Sequence, residues 1–351
     1  MPFHSQQKNH KKHRTAQKGG AHSPPYNATE NHNNDISVQF LWAIIILLYL
    51  CSVYTFIFIF SIFWGITMIT DSQTNKVYFS RRLTWYKCWP KLKEILSKAN
   101  IEFDLLDNTK DKWVRDYMPI QVEKGKFITY VYNPDYLQED KKSITVWTEI
   151  PNLPSMPEKV ETKLIIDGGN VIKCSDKVIM TDKVFLENRR LQFSKKEIQE
   201  ELERLFGRVI IIPWNSQDKW DFCGHSDGMI RYIDHDYVLI NNYFNHKENE
   251  WLLKDIKNIL KTNNIKYEQL DYGKGYQEVN DWAYLNFLQV GNKIFIPTID
   301  NQDLDTKALK QLESIYNKCE IFPVPLLSII KANGKYGGGA LNCISWNIYS
   351  E

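Results

Sequence analysis

The chain has 351 residues, of which 43% are hydrophobic, 25% charged and 13% aromatic. That suits two domains or one large one with a buried core. A formal net charge of +2, with no basic stripe interleaved with aromatics, gives no case for nucleic-acid binding. Six cysteines (Cys51, Cys88, Cys174, Cys223, Cys319 and Cys343) are scattered without a CxxC pair. Neither a zinc module nor a small disulfide scaffold fits, and isolated cysteines read as free thiols, one of them a candidate nucleophile.

Residues 1–35 are polar, with Pro24-Pro25 and few apolar side chains, and read as a disordered tail. His4, His10, His13, His22 and His32 offer at most weak metal binding in such a tail. From Ile36 to Thr70 there is no charged residue, and Phe40 to Trp64 is apolar almost throughout. A membrane span needs about 20 apolar residues, and a signal-peptide core is shorter than this run. One transmembrane helix is therefore expected in 36–70, with membrane contact through 38–67. Translation from Met1 makes the protein single-pass. Translation from Met68 makes it cytoplasmic.

The texture of a globular α/β domain follows and is assigned to residues 74–351. Lys76 to Ser80 reads as a strand, Thr84 to Ala99 as a helix with Pro90 in its first turns, and Ile101 to Leu106 as a strand. Ser194 with Glu197 forms a capping box; Ile198, Leu202, Leu205 and Phe206 carry a helical stripe, Gly207 ends it, and Val209 to Ile212 is a buried strand. Trp251 to Leu260 and Leu309 to Tyr316 read as helices before further strands. The segments starting at Asp176, Asp236 and Asn292 occupy one place in three similar strand–strand–helix–strand units, and Gly125 starts a fourth with a weaker helix. The spacing, roughly 50–60 residues, suits a ring of compact units. Lys76 to Ser80 lacks a first strand, which the C-terminal Leu341 to Asn347 can supply, closing a ring of five.

Chemistry gathers where the first strands begin. In order stand Trp113-Val-Arg115-Asp116, Asp167-Gly168-Gly169-Asn170, Gly224-His225-Ser-Asp227-Gly228, Tyr284-Leu-Asn286, and Gly337-Gly338-Gly339-Ala-Leu-Asn342-Cys343. Each alone suits a turn glycine, a capping Asp or a packed Cys; their recurrence in register points to a site. If His225 and Asp227 lie on a strand, they share a face. Asp116 and Asp227 offer two carboxylates, whose natural bidentate ligand is a guanidinium. Cys343 near a His suits a nucleophilic thiolate. Attack on the guanidinium carbon, loss of ammonia and attack by water would give a ureido group, with His225 as acid and then base. This chemistry requires no metal and no cofactor.

The blocks WVRDYMP, DGGN, GHSDGMIRY and GGGALNC resemble the signatures of the agmatine deiminase and bacterial (Porphyromonas-type) peptidylarginine deiminase family, over about residues 75–351. The resemblance implies a five-bladed α/β propeller of the guanidine-modifying superfamily. It implies Cys343 as nucleophile, His225 as acid/base, and Asp116 and Asp227 as the guanidinium grip. Trp113, Arg115, Asp167, Gly168, Gly169, Asn286, Gly338 and Gly339 are carried over as substrate-binding positions. The family's last block usually reads GGGxxHC; here Asn342 replaces the His, and an amide supplies neither proton nor charge. On a strand Asn342 would face away from the pocket that Cys343 lines. The expected substrate is a small guanidine, agmatine first, giving N-carbamoylputrescine and ammonia, with an arginine-containing peptide second. Amidino transfer, a membrane-tethered module that binds arginine or agmatine without turnover, and a metal site at Cys223, His225 and Asp227 are the alternatives. Substrate specificity would lie in loops such as Asn133–Ser155 and Asp271–Asn280.

Overall fold

A computed structural model describes residues 42, 44–49, 67–218, 221, 223–242, 249–271, 281–331 and 339–351. The chain forms two compact units, Met1–Phe63 and Trp64–Glu351. In the first, Trp42 and residues 44–49 are helical with exposed apolar side chains. Among the described residues no helix is long and apolar enough to cross a membrane. The tail 1–35 and most of the expected span lie outside them.

The second unit holds five three-stranded sheets among the described residues. In chain order four of them are Ile120–Glu123, Lys126–Val131 and Glu158–Ile165; Ile172–Cys174, Lys177–Thr181 and Arg208–Ile212; Ile230–Asp234, Tyr237–Ile240 and Lys266–Gln269; and Leu288–Val290, Lys293–Thr298 and Glu320–Pro325. In each, the first strand runs antiparallel to the second and the third parallel to it. The fifth sheet joins the two ends of the unit. Ser345–Ile348 pairs antiparallel with Lys76–Ser80, which pairs parallel with Glu102–Leu106.

Local signals explain the helices. Ser194 caps Lys195–Phe206 reciprocally with Glu197, at 2.8 and 3.2 Å, and Gly207 ends it at φ +73°. Ile198, Leu202, Leu205 and Phe206 are its buried stripe. The helix expected over Thr84–Ala99 divides into a 3-10 turn, Arg81–Trp85, and an α-helix, Trp89–Lys98, because Pro90 fits only the first turn. Gln302–Ile315 is longer than expected: Asn301 accepts from the Leu304 amide and starts it on polar residues that carry no apolar stripe. After Lys126–Val131 come three 3-10 turns in place of a helix.

The globular unit also takes in residues ahead of position 74. Met68 is fully buried and its amide donates to Ser175 O at 2.6 Å. The Ile69 amide donates to Val122 O at 2.8 Å, and Asp71 pairs with Arg231 at 3.0 Å.

Trp346 anchors the closing strand. Its Nε1 donates to Pro119 O at 2.8 Å, and its ring lies 5.2 Å from Tyr78 and 6.2 Å from Phe127. Trp346→Ala removes that packing and leaves a carbonyl unpaired, so urea unfolding should show a loss of about 3–5 kcal/mol. A loss under about 1 kcal/mol would mean that the seam is not a stability-determining contact.

Candidate active site

Among the described residues, each of the five sequence blocks lies on or beside a tight turn that leads into a first strand. These turns are Val114–Tyr117, Gly168–Asn170, Ser226–Gly228, Asp281–Tyr284 and residues 341–344. Strand alternation therefore does not apply to His225 with Asp227, or to Asn342 with Cys343, as the sequence suggested. A turn swings consecutive side chains through a wide arc, and convergence comes from packing five turns together.

Gly169 shows how close that packing is. A Cβ there would lie 2.6 Å from His225 Nδ1 and 2.7 Å from Asp116 Oδ1. At Gly168 a Cβ would meet Arg115 O at 2.0 Å, and at Gly339 it would meet Cys343 Sγ at 2.7 Å and the Trp113 ring at 2.8 Å. These three glycines admit neighbouring groups. Gly338 lies outside the described residues.

The cluster is buried and acidic. His225, Asp116, Asp167, Asp227 and Cys343 are each at most 8% exposed. His225 Nε2 donates to Asp167 Oδ2 at 2.9 Å, and its Nδ1 lies 3.6 Å from Asp116 Oδ1, beyond hydrogen-bond reach. The Cys343 thiol lies 3.5 Å from Asp227 Oδ2 and 3.3 Å from Asn286 Oδ1. Asp116 Oδ1 and Asp167 Oδ1 are buried without a hydrogen-bond partner among the described residues. An unpaired buried carboxylate oxygen is costly. The arrangement suits a ligand that brings several N–H donors and positive charge.

Burial favours a neutral His225, but the Asp116 charge and the Asp167 hydrogen bond outweigh it and push the ring up to about 10. Burial pushes Asp116 well above the usual carboxylate range, against the pull of His225. The two shifts divide one shared charge. The proton belongs on His225, where Asp167 accepts directly at 2.9 Å. Burial, then the charges of Asp227 and Asp116, hold Cys343 well above an ordinary thiol. The neighbours of the sulfur in the structure are Asp227 and Asn286. These surroundings favour the thiol over the thiolate.

Asn286 pins the cysteine turn: its Oδ1 also accepts from the Ala340 and Cys343 amides, at 3.2 and 3.4 Å. Arg115 does not join the cluster through its side chain, whose Nη2 donates to Asn347 Oδ1 at 2.6 Å and Nε to Asn342 O at 3.3 Å. Its guanidinium lines a separate small cavity with Asp71, Lys173 and Arg231. Trp113 lies beside Cys343 across Gly339, with the Lys112 ammonium 3.9 Å from its ring centroid.

Two contacts were not legible in the sequence. Tyr136 donates to Asp167 Oδ2 at 3.2 Å from a long loop without a motif, although that loop falls within 133–155. Asn342, expected to face away, donates from Nδ2 to Asp227 Oδ2 at 2.7 Å. The second expected specificity loop lies outside the described residues from 272 to 280. Among the described residues, no group of three or more His, Cys, Asp or Glu side chains is arranged to hold a metal ion.

Over residues 67–348 the chain matches the family model described as Porphyromonas-type peptidyl-arginine deiminase. The chain belongs to this family. Members of this deiminase family modify guanidines and are hydrolases acting on C–N bonds. The C. jejuni agmatine deiminase structure is 20% identical with a TM-score of 0.56, over 81% of this chain and 96% of that one. An Enterococcus faecalis agmatine deiminase structure is 16% identical with a TM-score of 0.58, over 81% and 95%. These likenesses show a pentein-like α/β fold, which the five small sheets of this deiminase fit. No curated protein matches the chain.

The charge on His225 has a consequence for the stability of the deiminase. Its folded pKa is raised from 6.5 to about 10, so from pH 6.5 upward the folded state binds more protons than the unfolded chain. This contribution is complete below pH 6.5 and is lost as pH rises through about 10. Chemical denaturation should show wild-type stability falling across that range and His225→Asn falling much less. Equal slopes would contradict a charged His225.

Proposed function

We propose that the protein hydrolyses a guanidinium substrate, agmatine in first place, to a ureido product and ammonia. The observation that carries this reading is the pair of unpartnered buried oxygens, Asp116 Oδ1 and Asp167 Oδ1, beside His225, with the Asp116 charge also acting on Cys343. A guanidinium supplies planar N–H donors and the missing positive charge. Burial and the neighbouring carboxylates hold the proton on Cys343; the arriving cation offsets the carboxylates, and the thiol proton passes to solvent.

The thiolate then attacks the guanidinium carbon. His225, charged at rest, gives its proton to the departing nitrogen as the C–N bond breaks, leaving a thiouronium on Sγ and releasing ammonia. Neutral His225 takes a proton from water, whose oxygen attacks the same carbon. The C–S bond breaks as that oxygen's remaining proton is lost to solvent, the thiolate returns, and the ureido product leaves. The carboxylate surroundings favour agmatine, a dication, over free arginine with its own carboxylate. Agmatine is also the substrate named for the two solved neighbours. The second reading, a peptidyl-arginine substrate, has the family's own description in its favour.

The uncharged run across residues 38–67, with exposed apolar side chains at Trp42 and 44–49, supports a membrane tether when translation begins at Met1. Translation from Met68 would instead give a cytoplasmic enzyme.

Wild type, Cys343→Ala, His225→Ala and Asp116→Asn should each be incubated with agmatine, free arginine and an N-blocked arginine peptide. Ammonia and ureido product are the readouts. The expected result is release from agmatine, with Cys343→Ala and His225→Ala reduced by about 10³-fold or more. Asp116→Asn should chiefly raise KM. Release from the peptide alone would transfer the assignment to protein modification. Undiminished release by Cys343→Ala would rule out the mechanism.

A further inference from the structure

Asp71 lies ahead of the first strand and outside every sequence block, yet it begins a continuous polar chain that ends on Asp227. Its Oδ2 accepts from Arg231 Nη2 at 3.0 Å. Arg231 Nη1 donates to Asn342 Oδ1 at 2.9 Å. Asn342 Nδ2 donates to Asp227 Oδ2 at 2.7 Å, the same oxygen that lies 3.5 Å from Cys343 Sγ. Arg231, Asn342 and Asp227 are at most 4% exposed, and the Asp71 side chain is 20% exposed.

The direction of every bond is determined. A guanidinium has only donors, so the atom of Asn342 facing Arg231 must be its carbonyl oxygen. Its NH₂ therefore faces Asp227, and Oδ2 must accept. Arg231 is held from two sides, by Asp71 and by the Phe287 ring, 4.4 Å from the guanidinium carbon. A histidine at position 342, the residue that the family pattern leads one to expect, has ring nitrogens whose donor and acceptor roles interchange. An amide locked by an arginine has no such freedom.

We propose that Asp71, Arg231 and Asn342 are positioning residues that hold Asp227 as a fixed hydrogen-bond acceptor beside Cys343. This rests on the reading of the cluster as a guanidinium site. Asp71 acts at the far end: without it Arg231 loses one of its two anchors, and the donor on Asp227 is no longer held in place. Burial opposes a charge on Asp71, but Arg231, Arg115 and Lys173 together keep its carboxyl below the ordinary range.

The test uses the full chain and two readouts. In a Cys343→Ala background, calorimetry measures agmatine binding without turnover. Adding Asp71→Ala should weaken binding by about tenfold, and Asp71→Asn, which still accepts from Arg231, should recover most of that loss. Asn342→Asp, which sets an acceptor against Asp227, should weaken it by more than Asp71→Ala. With Cys343 intact, iodoacetamide should alkylate Asp71→Ala about threefold more slowly than wild type, because the Asp227 charge then faces the sulfur without its second donor. Affinity and alkylation rate both within about twofold of the parent in Asp71→Ala would overturn the proposal. If the Cys343→Ala parent binds no agmatine, the substrate reading falls, and the alkylation comparison alone decides on the chain.

Discussion

The site depends on one electrostatic constraint. Asp116, Asp167 and Asp227 are buried with a single histidine, and two carboxylate oxygens lack a donor among the described residues. Buried carboxylates without compensation shift, protonate or recruit a cation. Here the Asp116 charge and the Asp167 hydrogen bond raise His225 against its burial, and burial pushes Asp116 and Cys343 up. A planar cation with several N–H donors suits such a cluster. The same feature favours a guanidinium over a neutral amide.

The fold makes this possible by repetition. Five small sheets each receive their first strand from a tight turn, and every turn carries a polar block. Packing such turns together requires backbone where a side chain would otherwise stand. Gly168, Gly169 and Gly339 supply it, and their contacts with Arg115, His225, Asp116 and Cys343 show that no methyl group would fit. The closing pair of Ser345–Ile348 with Lys76–Ser80 brings the cysteine turn to the others from the far end of the chain.

Much of this was legible in the sequence. The repeated strand–turn–strand pattern indicated the units, and the unmatched strand at Lys76 indicated the closure. The blocks at Asp116, Asp167, His225 and Cys343 identified the cluster because each couples an ionisable group to glycine or to an apolar run. Orientation was not legible. Strand parity misjudged Asn342, since residue 342 lies on a turn, and it gave the wrong reason for bringing His225 and Asp227 together. Nor could the sequence separate Arg115, which turns its guanidinium away, from its neighbour Asp116, which turns in. Asp71 and Tyr136 carry no motif, and only the packed chain shows what they touch.

The central claim is that burial, with the carboxylates beside it, keeps Cys343 a thiol until a cation arrives. Thiolate absorbance in the ultraviolet, taken as the difference between wild type and Cys343→Ala, tests it directly. The free protein should show no Cys343 thiolate at pH 7, and the signal should appear when a slowly reacting guanidinium ligand saturates the site. A full thiolate signal in the free protein at that pH, unchanged by ligand, would contradict the account.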